Sequence, residues 1–201
     1  MARHTTDDEV RTALRRARDG DVDGARRQLT VLLDSTPSPA RVYLGLTQLE
    51  WRTGQVELAG RYAAAGLAAS TAQRHEIVLL LGMLALVETT EETPDQAVRR
   101  LDHPAVRLAL ASRTPIAAAL LAVLAVVECA RDRPEPATRL LGAAHQLGRW
   151  DDVLDIDTAA AARSALARLG DARFSALYSA GESAPWASTQ ELVAASLAVS
   201  G

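Results

Sequence analysis

A five-residue pattern, Ala-x-Arg-x-(Leu/Ala), recurs four times along this chain. Its copies are Ala25-x-Arg27-x-Leu29, Ala59-x-Arg61-x-Ala63, Ala97-x-Arg99-x-Leu101 and Ala137-x-Arg139-x-Leu141. Consecutive copies stand 34, 38 and 40 residues apart. A period in this range belongs to a helix–turn–helix unit that buries its apolar face only by stacking on its neighbours. Gly20-Asp21-Val22 precedes the first copy and Gly54-Gln55-Val56 the second. In each, the Gly supplies the backbone freedom that a tight turn between two helices needs. The small Ala lets the second helix of a pair approach the first, and the residue four further on packs into the same seam. Pro37 stops the second helix of the first unit.

The period predicts an all-α fold: a tetratricopeptide-like α-solenoid of about four helix pairs over residues 1–150. Capping helices over 151–201 close it into one continuous domain. Thr6-Asp7-Asp8-Glu9 has capping-box spacing and predicts a first helix over Asp7–Asp19. The second runs from the Gly20 turn to before Ser35; the next two cover Ala40–Arg52 and Val56–Ala69. A fifth, over Ala72–Val87, precedes Glu88-Thr89-Thr90-Glu91-Glu92, read as an acidic insertion that stretches the period. Thr93-Pro94-Asp95-Gln96 predicts an N-cap, a first-position Pro and a capping-box Gln. Asp102-His103-Pro104 breaks that helix, a short one follows over Ala105–Ala111, and Thr114-Pro115 opens a long apolar helix ending near Ala130. Its partner is Ala137–Leu147. The remaining helices are expected over Asp157–Leu169, over Asp171–Ala180 with its end at Gly181, and from a Ser188–Glu191 cap to Val199.

Composition narrows the function classes. Aromatic residues are 3% of the chain while hydrophobic residues are 48%, so Ala, Leu and Val must build the core. All 22 basic residues are Arg, which fits a GC-rich coding sequence of the actinobacterial kind. Net charge is −3 with both signs interspersed, so no basic field exists for direct nucleic-acid binding. The lone Cys129 excludes an internal disulfide and fits a reducing, cytoplasmic setting. The polar start of the chain lacks a signal-peptide core. The apolar run from Ile116 to Val127, 12 residues long, is too short to span a bilayer.

Several segments of the C-terminal half resemble a known arrangement. They are Arg139-Leu140-Leu141-Gly142-Ala143-Ala144-His145, the run from Ala165 through Leu169-Gly170-Asp171 to Phe174, Ser179-Ala180-Gly181-Glu182, and Glu191-Leu192-Val193. Over residues 116–199 this is similar to the C-terminal tetratricopeptide region of large actinobacterial transcriptional activators. These are the large ATP-binding LuxR-type regulators and the antibiotic regulatory proteins. The resemblance implies transcriptional regulation of secondary metabolism. It does not extend to ATP hydrolysis or DNA reading, because the chain has no phosphate-binding loop, no Lys and no basic recognition helix.

Registering the repeats on their turn glycines places candidate binding residues on the first helix of each pair. Arg41, Leu44, Gln48, Trp51 and Arg52 form the wall of the second unit, combining an aromatic plate with forked donors for a carboxylate or planar ligand. His75 and Gly82 belong to the third unit, and Glu128 ends the long apolar helix as an acid/base candidate. Trp150-Asp151-Asp152-Val153-Leu154-Asp155-Ile156-Asp157 collects four carboxylates without the order of a calcium loop; Asp157 reads as a helix cap. His4, His75, His103 and His145 show no metal-ligand spacing, and no catalytic motif, metal set or cofactor motif emerges.

The function expected is that of a non-enzymatic interaction or sensor module. It would bind a protein segment or small effector in a concave groove, without membrane or direct nucleic-acid contact; a homodimer is compatible with it. The alternative is a helical enzyme or small-molecule sequestering protein of a biosynthetic pathway, using the apolar groove as a pocket.

Overall fold

The computed structural model describes residues 2–69, 72–91, 93–148, 153–154 and 156–198. The described residues are organised as helices without strands. Their contacts divide the chain into two compact units, residues 1–87 and 88–201, the boundary falling inside one helix. Position 150, where the repeats were expected to give way to capping helices, lies outside the described residues.

The first unit contains α1 (Ala2–Arg18), α2 (Val22–Ser35), α3 (Pro39–Arg52), α4 (Val56–Ala68) and most of α5 (Arg74–Thr90). Three-residue connections fold α2 back on α1 and α4 back on α3. Gly20 and Gly54 hold φ of +101° and +77° in them, values that a side chain disfavours. The core gathers Val10, Ala13 and Ala17 of α1, Ala25 and Leu29 of α2, and Val42, Leu46 and Leu49 of α3. Helix α1 begins before Thr6, so the expected capping box does not start it. The Thr6 hydroxyl lies 3.2 Å from that of Thr36 in the α2–α3 connection instead. Helix α5 continues to Thr90. Glu88-Thr89-Thr90 therefore extends a helix rather than forming an inserted loop; Glu92 lies outside the described residues.

The second unit contains α6 (Pro94–Leu101), α7 (Pro104–Leu110), α8 (Pro115–Ala130), α9 (Pro134–Leu147), α10 (Thr158–Leu169), α11 (Asp171–Glu182) and α12 (Trp186–Leu197). Helix α8 is its centre, buried without interruption from Ala117 to Ala125 and packed by α6, α7, α9, α10 and α12. Its all-round apolar surface has no amphipathic face to show solvent.

Helix α9 starts at Pro134 rather than at the expected Ala137, so the Pro134-Glu135-Pro136 sequence opens the helix instead of forming the turn, and three further expectations change here. The Thr93 hydroxyl does not cap α6; it donates back to the Glu88 carbonyl at 2.9 Å. Gly181 lies inside α11, where an added Cβ would stand 2.1 Å from the Arg139 carbonyl oxygen. Gly142 of α9 faces the Tyr178 carbonyl oxygen equally closely, so the two glycines bring backbone against backbone. Helix α12 starts at Trp186, ahead of the Ser188–Glu191 sequence, because the Pro185 carbonyl already accepts from the amides of Ser188 and Thr189. Its expected end at Val199 lies outside the described residues.

The repeated pattern has one physical meaning in all four copies. Ala25, Ala59, Ala97 and Ala137 are fully buried, as are Leu29, Ala63 and Leu101, with Leu141 nearly so. Arg27, Arg61, Arg99 and Arg139 are exposed. The turns repeat as well. The amides of Asp21, Gln55, Thr93 and Arg133 each donate to the carbonyl five residues back, on Arg16, Glu50, Glu88 and Glu128. That bond satisfies a carbonyl left orphaned at a helix C-terminus. In the fourth turn Asp132, not Gly, takes the left-handed conformation at φ +61°. Among the described residues no single helix is long and apolar enough to cross a membrane; α7 and α8, apolar together, are bent by 111°.

Candidate functional site

The residues expected along α3 do not form one open wall. Arg41 reaches the surface beside α1, its Nε 2.9 Å from Asp7 Oδ1. Trp51 is half-buried and Arg52 exposed at the other end of the helix. Leu44 and Gln48 are interior, because α3 is buried without a break from Leu44 to Glu50. His75 is exposed in the first turn of α5 and Gly82 buried further along it. Glu128 belongs to the second unit and is fully buried.

A cleft of about 400 Å³ opens in the first unit, lined by Val22, Asp23, Arg26, Glu50, Thr53, Gln55 and Leu58. Glu50, in the last turn of α3, is buried among the residues that line it. Arg26 of α2 grips that carboxylate with both arms of its fork, Nε to Oε1 at 2.7 Å and Nη2 to Oε2 at 3.0 Å. Its remaining arm donates to Asp23 at 2.9 Å. The bond to Glu50 holds the Arg26 guanidinium pKa above its ordinary value. Neither Arg26 nor Glu50 was picked out from the sequence, yet a signal existed. Glu50, Glu88 and Glu128 each stand nine residues before the Ala of the recurring pattern.

All three glutamates are buried. A carboxylate in the last turn of a helix faces the negative end of the helix dipole, so each requires a cation. Glu88 takes Arg100, whose Nη2 and Nε lie 2.5 and 3.1 Å from Oε1. Glu128 takes two cations from the α8–α9 turn. Arg131 Nη1 lies 2.9 Å from Oε1, and Arg133 Nε 3.1 Å from Oε2. Burial nevertheless pushes the Glu128 carboxyl pKa up, against the pull of both arginines. Arg131 also donates to the Ser196 carbonyl at 3.1 Å and lies 3.4 Å from Asp95. Glu128 Oε2 is buried without a hydrogen-bond partner, its compensation being the Arg133 charge 3.1 Å away, and Arg131 carries the links onward to Ser196 and Asp95.

Other titratable groups serve local structure. Asp21 caps α2 through the Gly24 amide at 2.9 Å; that bond and Arg16 hold its carboxyl pKa below the usual range. His103 Nδ1 accepts from the Ala105 amide at the start of α7. Cys129 is buried, its thiol donating to the Ala161 carbonyl at 3.5 Å. His145 Nδ1 lies 2.9 Å from Tyr178 Oη and 3.2 Å from Glu182 Oε1, beside the α9–α11 glycine contact. Burial, then the Glu182 charge, push the Tyr178 phenol pKa up. Asp157 caps α10 through the Ala159 amide, as the sequence suggests; Trp150, Asp151, Asp152 and Asp155 lie outside the described residues. Among the described residues no three His, Cys, Asp or Glu side chains converge to hold a metal ion. No family model, curated protein or solved structure matches this chain.

Proposed function

We propose that the chain is a non-enzymatic helical-repeat interaction module of the tetratricopeptide kind, a solenoid whose task is to bind a protein segment or a small effector. The observation that carries this reading is the invariant burial of the four-copy pattern. Its Ala and Leu/Ala positions are spent on packing and its Arg positions face solvent, which is how a scaffold is built. Glu50, Glu88 and Glu128 each stand beside arginines rather than beside a nucleophile. In the first unit this reading places recognition at the α3 end, where Trp51 is half-buried and Arg52 exposed. The resemblance to actinobacterial regulators gives such a module a place in transcriptional regulation of secondary metabolism.

The cleft over Arg26 and Glu50 favours a second reading, in which the occupant is a small effector. Its volume is that of ordinary small-molecule sites.

Affinity capture from the source cell, followed by calorimetry on the recovered partner, tests the first reading. Trp51→Ala should cost about 2 kcal/mol or more in binding, as aromatic anchors do. Undiminished affinity in that variant removes the α3 surface from consideration. A loss on Arg26→Ala alone would move recognition into the cleft.

A further inference from the structure

Glu50, Glu88, Glu128 and Glu135 each stand beside an arginine. Glu182 does not: among the described residues its one ionic neighbour is His145. Its place in the fold makes that exceptional. Helices α9 and α11 run parallel, because Glu135 meets Arg173 near their starts while His145 meets Tyr178 and Glu182 near their ends. Gly142 and Gly181 press the two together, backbone against backbone. Two helix C-termini therefore converge, at Leu147 and at Glu182. Each carries the negative end of a helix dipole, where a cation is favoured. The sequence instead puts a carboxylate there.

Three side chains meet at this point. His145 Nδ1 lies 2.9 Å from Tyr178 Oη and 3.2 Å from Glu182 Oε1. A neutral ring cannot serve both neighbours fully through one nitrogen. With a hydrogen on Nδ1 it donates to Glu182, and the Tyr178 hydroxyl hydrogen must turn elsewhere. Without one it accepts from Tyr178 and turns a lone pair on the carboxylate. A cation in the angle between the three atoms takes a lone pair from each. The spacing suits one: neighbouring ligands of a tetrahedral zinc-like ion, bound at about 2.0–2.2 Å, stand about 3.3–3.5 Å apart. The two separations from Nδ1 need to widen by roughly half an ångström to reach that value. The His145 and Glu182 side chains are 57% and 45% exposed, so they have room to make the adjustment and water can reach the ion.

We propose that His145, Tyr178 and Glu182 form a binding site for a divalent transition cation of the zinc and copper class, with water completing its shell. One imidazole nitrogen with two oxygens selects that class over calcium and magnesium, which take shells of oxygen. Nδ1 and the Glu182 carboxylate supply lone pairs directly. Tyr178 Oη binds as phenolate, its proton passing to solvent. The bound ion neutralises the paired helix ends and ties α11 to α9. The site belongs to the second unit alone and is independent of recognition at α3.

Calorimetric titration of the full, untagged chain with zinc chloride tests this. One equivalent should bind, and calcium or magnesium should bind at least about 100-fold more weakly. His145→Ala and Glu182→Gln should each weaken zinc at least about tenfold, since even the outer-shell partners of a metal site carry that much. With copper(II), a visible phenolate-to-metal charge-transfer band should appear and should vanish in Tyr178→Phe. Melts followed by circular dichroism without metal establish that each variant folds, and His145→Gln replaces His145→Ala if the latter does not. Failure of the wild type to bind zinc would overturn the proposal, as would a copper complex without the charge-transfer band. So would zinc affinity unchanged in the His145 and Glu182 variants, which would assign the binding to His4, His75 or His103 as an adventitious surface site.

Discussion

In the first unit the last turn of α1 places Arg16 five residues before Asp21. In the second, the last turn of α8 places Glu128 five residues before Arg133. The two pairs occupy the same places around the same backbone bond, from the later amide to the earlier carbonyl, with their charges exchanged. In the first arrangement the dipoles help, since the cation lies at a helix C-terminus and the carboxylate at the next N-terminus. In the second, both charges oppose the dipoles. The exposed Arg16–Asp21 pair needs nothing more. In the inverted pair Glu128 is buried while Arg133 is 38% exposed, and the carboxylate recruits Arg131, which in turn reaches α12. The comparison teaches that the backbone sets the turn, and that the charges on it are free to invert where burial and a third group compensate.

The sharpest way to break this comparison is to remove the carboxylates one at a time. Glu128→Ala leaves Arg131, whose side chain is only 10% exposed, without its main counter-charge. The expected loss is about 3–5 kcal/mol, the range for breaking a buried pair from one side. Glu50→Ala leaves Arg26, 34% exposed and still beside Asp23, with a way out to solvent. Its expected loss is about 1.5–3 kcal/mol, that of charged hydrogen bonds. Urea denaturation of both variants measures the difference. Equal losses would mean that burial of the cation does not set the cost.

Packing offers a second contrast between the units. Gly181→Ala would put a Cβ 2.1 Å from the Arg139 carbonyl oxygen, a backbone atom that moves only if α11 lifts from α9. About 1–3 kcal/mol is expected. Gly45→Ala in the first unit would meet Val10 Cγ1 at 2.8 Å and Leu29 Cδ2 at 3.3 Å, side-chain ends that can turn aside. Its expected cost is below about 1.5 kcal/mol. Within the first unit, Ala59→Leu should lose roughly 1–3 kcal/mol by overpacking a fully buried position, whereas exposed Arg61→Ala should change stability by less than about 0.5 kcal/mol. Thermal melts of the four variants rank them, and a reversed order within either pair would invalidate the packing argument.

Much of the helical architecture was legible because its signals are local. Pro94 and Pro115 open helices as their sequences suggest, and Gly20 and Gly54 take the left-handed conformation their turns require. Three of the expectations that changed involve distant partners. Thr6 answers Thr36 across the unit, Glu88 is retained in α5 where Arg100 meets it, and Gly181 continues α11 because the Arg139 backbone occupies the space a side chain would need. The candidate site was less legible for a related reason. The α3 spacing groups Arg41, Leu44, Gln48, Trp51 and Arg52 on one wall, but helical periodicity cannot tell which stripe a neighbour covers. Leu44 and Gln48 are interior. The buried glutamates were readable only by aligning the copies with one another, since one glutamate beside a turn looks solvated.

The smallest effect expected is also the most specific to the inverted turn. Burial raises the Glu128 carboxyl pKa in the folded chain above the ordinary carboxylate value of about 4.3. Between those two values the folded state holds a proton that the unfolded state has released. The contribution of this group is therefore fully present below the unfolded pKa and is lost as pH rises through the folded one. Asp21 runs the other way, because the Gly24 amide and Arg16 lower its folded pKa; its contribution is present above the unfolded value and lost as pH falls through the folded one. Glu128→Gln keeps the shape of the protonated acid and cannot titrate. Its stability relative to the wild type should therefore improve as pH rises from the unfolded pKa through the raised folded value. Denaturation midpoints across that window supply the measurement, with Asp21→Asn as the control of opposite sign. Parallel profiles for Glu128→Gln and wild type would show that Arg131 and Arg133 fully cancel the effect of burial.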